Sequence, residues 1–303
     1  MAIALEHLNN LATIISNPIA AGTFEDLAAT YYTSGWRADE AVIKALASIN
    51  KSDDLVAVSS VIQAVYRPWA EESARYLQKI VDQSGYPGGT IKTAKKGSFK
   101  ESECVFFIDG LRLDIAKSLS RLLAEKGCQI EERLTWAALP SVTATGKPAV
   151  TPVKHKFYGQ NTNSDFEPNV AESDAGKPLK GDYYLKKLLS VEGWQIIEKS
   201  ENGKELENAW CEFGNIDHEG HQRGWKLAKE IETFLMEIRD RILQLLGAGW
   251  KSIRIVTDHG WLLLPGGLPK INLPTVLTDN KWGRCAAIKP GASVKERLYP
   301  WFW

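Results

Sequence analysis

The sequence predicts an α/β protein, a mostly parallel sheet with helices on both faces, preceded by an all-helical region. From about residue 100 onward, short apolar runs alternate with longer amphipathic stretches, which is the rhythm of strands connected by helices. The first of these runs, CVFFID at 104–109, is almost entirely apolar, as expected of a strand covered on both faces. Before about residue 85, apolar residues recur at spacings of three and four, which indicates helices.

Composition limits the class of protein before any motif is considered. The 303 residues include 37 basic and 37 acidic side chains and are 44% hydrophobic, so no general attraction to nucleic acid or to anionic membranes is expected. The N-terminus lacks the basic region of an export signal, and no apolar run approaches about 18 residues, which argues against a membrane protein. The four cysteines are widely spaced without a CxxC pair, which favours core residues in a reducing cytoplasm.

The first 85 residues are predicted to form a helical module or bundle. Thr23 can cap the stretch FEDLAATYY, and Ser52 can cap a long helix in which Pro68 predicts a kink. The stretch 84–102 is rich in Gly, Lys and Ser and breaks the helical period. We therefore predict a helical region with its linker at 1–98 and a second domain at 99–303.

The elements of the second domain follow in a strand–helix rhythm. After CVFFID come an amphipathic stretch at 111–127, the strand-like run CQIEERL, the strand AWCEF (209–213), a strong helix ending near Leu246, and two more strands, SIRIV (252–256) and RCAAIK (284–289). Between about 150 and 208 the pattern weakens and becomes polar. We interpret that segment as a surface insertion that either shapes a substrate pocket or is an inert loop.

Metal-binding side chains follow three of the predicted strands. Asp109 closes the first strand, Asp217 and His221 follow AWCEF in the sequence NIDHEGH, and Asp258 and His259 follow SIRIV. Four-residue spacing places Asp217 and His221 on one helix face, whereas His218 points elsewhere. An aspartate that ends a strand is by itself a common turn former. Because sites in parallel sheets form beyond the carboxyl ends of the strands, the three ends together predict a functional site.

These oxygen and nitrogen donors suit divalent metal ions. Without cysteine ligands, the set fits Zn²⁺, Mn²⁺ or Mg²⁺, and the imidazoles favour the first two. Two aspartates and a histidine at one ion, with an aspartate and a histidine at another, would form a two-metal site of the kind that catalyses phosphoryl transfer. A nucleophilic hydroxyl is then expected, and Ser141, Thr143 and Thr145 in LPSVTATGKPAVTP are the candidates. The alternative for this segment is a turn rich in Ser and Thr.

Four motifs occur in order along the chain: FFIDGLRLD, LPSVTATGKPA, the DxxxH pattern of IDHEGH, and VTDHGWLLLPGGLPK. Together they resemble the PglZ domain, a member of the alkaline phosphatase superfamily found in BREX phage-defence systems. The last motif is the most specific, and the similarity spans about residues 103 to 303. The resemblance implies an alkaline-phosphatase-like fold for the second domain. It also implies a cytoplasmic defence protein that works with other BREX proteins.

The resemblance assigns roles to individual residues. One metal ion would be held by Asp109, Thr143, Asp258 and His259, and the other by Asp217, His221 and one further histidine near the C-terminus. Thr143 is the implied nucleophile, because it lies three residues after Pro140, with Ser141 as the alternative. Arg112 would hold a phosphate oxygen, or else be a solvated arginine on a helix face. Asp114 also matches a family position, or else caps a helix.

The sequence departs from the family at that further histidine, because none of its five histidines follows His259. Since PglZ-like sequences continue beyond the point where this one stops, we expect a truncated domain in which the second metal is weakly held or absent. The implied function is a metal-dependent phosphatase or phosphodiesterase, acting on a phosphate ester or a nucleic acid. Alternatives are a catalytically weak or inactive scaffold that assembles a defence complex, and a phosphoserine-mutase-like enzyme.

Overall fold

The computed structural model describes residues 1–19, 21–88, 99–138, 141–159, 168–170, 181–214 and 216–267, and the predicted strand RCAAIK lies outside them. The N-terminal region is helical, as predicted. It contains α1 (Ala2–Ile15), α2 (Phe24–Thr30), α3 (Trp36–Ala47) and the 33-residue α4 (Ser52–Ser84), with a π-helical turn at Tyr31–Gly35. The helix α4 runs without interruption through Pro68.

The two predicted helix caps have different outcomes. Thr23 caps α2 through a capping box, in which its hydroxyl accepts from the Asp26 amide at 3.2 Å and its own amide donates to Asp26 Oδ2 at 2.8 Å. Ser52 does not cap α4, because it is already the first helical residue. Lys51 occupies the cap position there and makes no side-chain capping bond.

We expect the substitution Thr23→Ala to lower the free energy of unfolding by about 1 kcal/mol, since it removes the acceptor for an otherwise unsatisfied helical amide. Urea denaturation followed by circular dichroism measures this loss. Ser60→Ala is the matched control, because the exposed Ser60 hydroxyl bonds only the Val56 carbonyl within α4 and alanine has the higher helix propensity. A destabilisation by Ser60→Ala equal to that of Thr23→Ala would contradict the capping explanation.

The described strands are β1 (Cys104–Phe107), β2 (Phe157–Gly159), β3 (Pro168–Val170), β4 (Gln195–Ile197), β5 (Ala209–Glu212) and β6 (Ile253–Val256). Within the described residues, the central sheet has four parallel strands in the order β4-β5-β1-β6. In the register, Phe107 of β1 lies opposite Glu212 of β5 and Val256 of β6, so these three strands end level with one another. A separate antiparallel ribbon joins β2 to β3.

Helices cover both faces of the sheet, as predicted. Alternate side chains of β1 point to opposite faces, and Cys104 and Phe106 share a core with α5 (Leu113–Ala124) and α9 (Ile231–Gly247). On the other face, Val105 and Phe107 pack with Trp194, Trp210 and α7 (Gly181–Val191). Because both faces are covered, all four residues of β1 are apolar.

Two expectations for the second domain are wrong. The run CQIEERL forms no strand, and residues 129–134 are exposed. The segment from 150 to 208 is not only a surface insertion, because its described part supplies α7 and the sheet strand β4. Leu185 and Leu189 of α7 are buried against the sheet, at 2% and 0% exposure.

The N-terminal helices share a hydrophobic core with the sheet. Leu11 of α1, Leu46 of α3 and Ile62 of α4 belong to the same buried cluster as Phe106 of β1. Within that core, α3 contacts α5 and the 3-10 helix at Gly224–Lys229, so the helical region packs on elements next to this face of the sheet.

Two whole-chain expectations can be compared with the described residues. Within the described ranges, no helix is both long and apolar enough to cross a membrane. Cys104 and Cys211 are buried and free, as predicted for core cysteines, whereas Cys128 is half-buried.

Candidate metal centre at the strand ends

The side chains that follow three neighbouring strands come together at one edge of the sheet. Asp109 lies two residues after β1, Asp217 lies in α8 (Ile216–Arg223) after β5, and His259 lies three residues after β6. One ligand atom from each of these three side chains lies within 4.8 Å of the other two. The three chain segments reach one point because the strands are parallel, adjacent and level at their carboxyl ends.

Gly110 permits this close approach between the first and second strand ends. Its φ of 69° lies in the left-handed region that favours glycine. A Cβ at this position would lie 3.0 Å from the Cβ of Asp217. The Gly110 amide also donates to Asp258 Oδ1 at 3.2 Å, so the same residue bonds the third strand end.

The His259 ring has a defined orientation. Its Nδ1 lies 3.0 Å from the Gly260 carbonyl oxygen, which only accepts hydrogen bonds, so Nδ1 carries a hydrogen. The other nitrogen, Nε2, is therefore the atom at which the ring gains a proton or binds a metal. It faces Thr143 Oγ1 at 3.0 Å, and Asp109 Oδ1 and Asp258 Oδ2 at 3.6 Å each.

Two carboxylate oxygens in this cluster are buried without a hydrogen-bond partner. They are Asp109 Oδ1 and Asp258 Oδ2. The other Asp258 oxygen accepts from the amides of Gly110 and His259, so this carboxylate is held in place with one oxygen left bare. A buried bare carboxylate oxygen is costly unless a cation or a donor satisfies it.

The electrostatics of the cluster favour a positive charge. Burial and the neighbouring charge of Asp258 raise the pKa of Asp109 to about 7. Burial acts to lower the pKa of His259, but the charges of Asp258, Asp109 and Asp217 outweigh it and raise that pKa. Three carboxylates around one imidazole hold an excess of negative charge, which either protons or a metal ion can offset.

The segment that carries the predicted nucleophile is a helix and not a turn. Thr143 is the first residue of α6 (Thr143–Val150), which places its Oγ1 against His259 Nε2. Thr145, two residues further in the first turn, is fully buried, at 0% exposure. Ser141 lies two residues before the helix and is half-buried. We retain Thr143 as the candidate because its hydroxyl lies 3.0 Å from His259 Nε2.

Gly146 allows α6 to approach the third strand end. A Cβ at this position would lie 2.6 Å from the carbonyl oxygen of Asp258 and 2.9 Å from its Cβ, which is too close for any real contact. The sequence contains this signal as the glycine of ATGKPA. A glycine inside a helix usually marks such a close backbone approach.

We expect Gly146→Ala to destabilise the protein by about 1–3 kcal/mol, because α6 must move away from Asp258. Thermal unfolding measures this effect. In the matched control Gly247→Ala, the helical Gly247 has nothing within 4 Å of a built Cβ, so a small gain in stability is expected. Equal stability of the Gly146→Ala variant and the wild type would show that the approach of α6 is not rigid.

The predicted pair on α8 is also in place. His221 Nε2 lies 3.2 Å from Asp217 Oδ2, as the four-residue spacing predicts for one helix face. His218 is exposed and contacts Gln222 on the outer side of the helix. Asp217 thus lies between His221 and the Asp109–His259 pair, and the roles of these residues as ligands of one or two ions stay predictions.

Arg112 requires a correction. It is neither a solvated arginine nor aimed at an open phosphate position, because it is 2% exposed. Its Nε and one terminal nitrogen bond the Asp114 carboxylate at 2.7 and 2.6 Å, and its other terminal nitrogen bonds the Trp261 carbonyl at 3.2 Å. All three guanidinium nitrogens are engaged, so the geometry favours a structural role. Asp114, at 1% exposure, is the partner of this arginine.

Sequence reasoning missed Lys147. Lys147 is buried, and its Nζ bonds Asp182 Oδ1 at 2.5 Å and Glu212 Oε2 at 2.9 Å. These partners raise its pKa against the opposing effect of burial. Its position four residues after Thr143, on the same face of α6, is the signal that could have identified it.

Comparison with known proteins provides no identification. No protein-family model matches the chain, and no curated protein matches it significantly.

Proposed function

We propose that this protein is a metal-dependent phosphoryl-ester hydrolase in which Thr143 is the nucleophile. The observation that carries the proposal is the contact of the Thr143 hydroxyl with His259 Nε2, beside two buried carboxylate oxygens that have no hydrogen-bond partner. A hydroxyl, an imidazole and carboxylates at the carboxyl ends of parallel strands are the parts that metal-assisted phosphoryl transfer requires.

The residues present fit divalent metal ions. The donors are carboxylate oxygens, imidazole nitrogens and a hydroxyl, which suit Zn²⁺ or Mn²⁺, with Mg²⁺ as a harder alternative. The bare oxygens of Asp109 and Asp258 are the positions at which a cation would remove the cost of burial. One ion would be held by Asp109, Asp258, His259 and Thr143, and a second by Asp217 with His221.

The ions and the side chains have separate roles in the proposed hydrolysis. When bound, the ions would favour the ionised form of a hydroxyl and offset negative charge on the phosphoryl oxygens. The Thr143 hydroxyl gives up its proton, its Oγ1 forms a bond to phosphorus, and the bond from phosphorus to the ester oxygen breaks. The displaced oxygen takes up a proton and leaves as the alcohol. The resulting phosphothreonine is hydrolysed by water, which releases phosphate or a phosphomonoester and restores the hydroxyl. Asp258 holds the Gly110 and His259 amides and keeps the two turns aligned.

Hydrolysis assays test this proposal. We expect the protein with Mn²⁺ or Zn²⁺ to cleave para-nitrophenyl phosphate or bis-para-nitrophenyl phosphate and to lose this activity in EDTA. The first substrate reports a phosphatase and the second a phosphodiesterase. His259→Gln is expected to abolish the activity, whereas the matched control His218→Gln, at an exposed histidine, is expected to retain it. Cleavage of neither ester by the metal-loaded protein would favour the scaffold function instead.

A further inference from the structure

A buried polar network connects the N-terminal helices to the start of α5. At its centre, the Asp39 carboxylate of α3 accepts hydrogen bonds from the hydroxyls of Tyr31, at 2.5 Å, and Tyr66. Asp39 is 3% exposed, and the two tyrosines are 1% and 2% exposed. The main-chain carbonyl of Asp39 accepts from Arg112 at 3.3 Å. The N-terminal helices therefore bind directly to the arginine that precedes α5.

Arg112 also contacts the loop after β6. Its guanidinium bonds the Trp261 carbonyl at 3.2 Å and lies 4.3 Å from the centre of the Trp261 ring. The Asp114 carboxylate fixes the plane of the guanidinium through two parallel bonds. Because all these groups are buried, their positions are coupled to one another.

Trp261 in turn joins the two turns that carry candidate ligands. Its indole Nε1 donates to the Gly110 carbonyl at 2.7 Å. The Gly110 residue directly follows Asp109, and its amide donates to Asp258 Oδ1. The turn after β1 and the turn after β6 are thus held together both at Asp258 and, two residues beyond His259, at Trp261.

We propose that Arg112 is a positioning residue, which holds the turns of Asp109 and His259 at their metal-binding separation and makes the N-terminal helices part of that site. The inference rests on the proposed metal binding and deepens it. Metal ligands require placement to about 0.2 Å, so the second layer of contacts has a large effect on affinity. Arg112 and Trp261 act on that layer through Gly110, whose amide donates to Asp258 Oδ1.

Lysine cannot replace this arginine. One ammonium group cannot reproduce the bidentate contact to Asp114, the stacking on Trp261 and the bonds to two carbonyl groups at the same time. The substitution Arg112→Lys keeps the positive charge but removes the planar fork, so it separates geometry from charge.

The test compares Arg112→Lys with Arg241→Lys in the full chain. Arg241 is also buried, at 3% exposure, but its hydrogen bonds go to Glu198, Glu201, Asn202 and Gln244 and not to the metal-site turns. Binding of Mn²⁺ is measured by calorimetry at a temperature where each variant is folded by circular dichroism. The visible spectrum of bound Co²⁺ reports the number and arrangement of its ligands.

We expect Arg112→Lys to weaken Mn²⁺ binding by about 10- to 100-fold and to alter the Co²⁺ spectrum. Arg241→Lys is expected to lower thermal stability while both metal readouts stay at wild-type values. If Arg112→Lys does not fold, Trp261→Phe takes its place, because it keeps a ring against the guanidinium and removes only the indole donor to Gly110.

The outcomes separate this inference from the proposed function. Wild-type affinity and an unchanged spectrum in folded Arg112→Lys, or in Trp261→Phe, would overturn the positioning role and leave the proposed function intact. A wild-type protein that binds neither Mn²⁺ nor Co²⁺ would overturn both. Equal loss of affinity in Arg112→Lys and Arg241→Lys would assign the effect to general destabilisation and would also overturn the positioning role.

Discussion

Asp109→Asn is expected to abolish divalent-metal binding and, at the same time, to stabilise the metal-free protein. The Asp109 carboxylate lies beside Asp258 and Asp217, and burial with this repulsion raises its pKa to about 7. At pH 8 the wild type therefore holds an ionised carboxylate in an unfavourable environment, whereas asparagine holds none. Because the side chain is about one third exposed, solvent reduces the gain, which we place at about 1 kcal/mol.

Thermal unfolding with and without Mn²⁺ measures both effects of Asp109→Asn. An ion that binds only the folded protein adds about 2.7 kcal/mol when present at about 100 times its dissociation constant. We expect the wild type to show such a gain and Asp109→Asn to show none. Asp240→Asn is the matched control, because its carboxylate is 64% exposed and pairs with Arg239 on α9. Metal stabilisation that persists in Asp109→Asn would exclude Asp109 as a ligand.

Thr143→Ala is expected to reduce ester hydrolysis by at least about 10³-fold while metal binding persists through the remaining ligands. The loss follows from the proposed mechanism, in which no other group forms the bond to phosphorus. Thr143→Ser keeps the hydroxyl at the start of α6 and is expected to retain measurable activity. Steady-state assays with the better of the two nitrophenyl substrates provide the comparison.

Ser141→Ala distinguishes between the two hydroxyls. We expect it to hydrolyse ester at close to the wild-type rate, since Thr143 is the residue whose Oγ1 lies 3.0 Å from His259 Nε2. If Ser141→Ala were inactive and Thr143→Ala active, Ser141 would be the nucleophile. Full activity in both variants would contradict a covalent mechanism at either residue.

The sequence predicted the elements whose signal is local. Apolar runs at CVFFID, AWCEF and SIRIV form strands of the sheet, since each contains the β-branched or aromatic residues that favour strands. The strands β1 and β5 are largely buried, and β6 is half-buried throughout. The short strand β4 escaped prediction, because three residues within a polar segment carry no period that could be recognised. The run CQIEERL shows the opposite error, because it was predicted as a strand and forms none. Its apolar residues Ile130 and Leu134 are 42% and 48% exposed.

The candidate site shows the same division. That Asp109, Asp217 and His259 converge could be predicted, because strand ends in a parallel sheet share one edge. The role of Arg112 could not, since its partners Asp39 and Trp261 lie 73 and 149 residues away along the chain. From the sequence, an arginine near a suspected phosphate site is predicted to bind phosphate. Only the folded structure shows that its partners are protein groups.

The sequence by itself determined the α/β class, the helical N-terminal region and the ligand types at three strand ends, because these depend on composition and short-range spacing. Tertiary structure decided which strands are neighbours, which carboxylate oxygens stay bare, and that Arg112 binds the N-terminal helices to the loop after β6. Those properties depend on pairs of residues far apart in the chain, and the free energy of such a pair exists only after the intervening chain has folded.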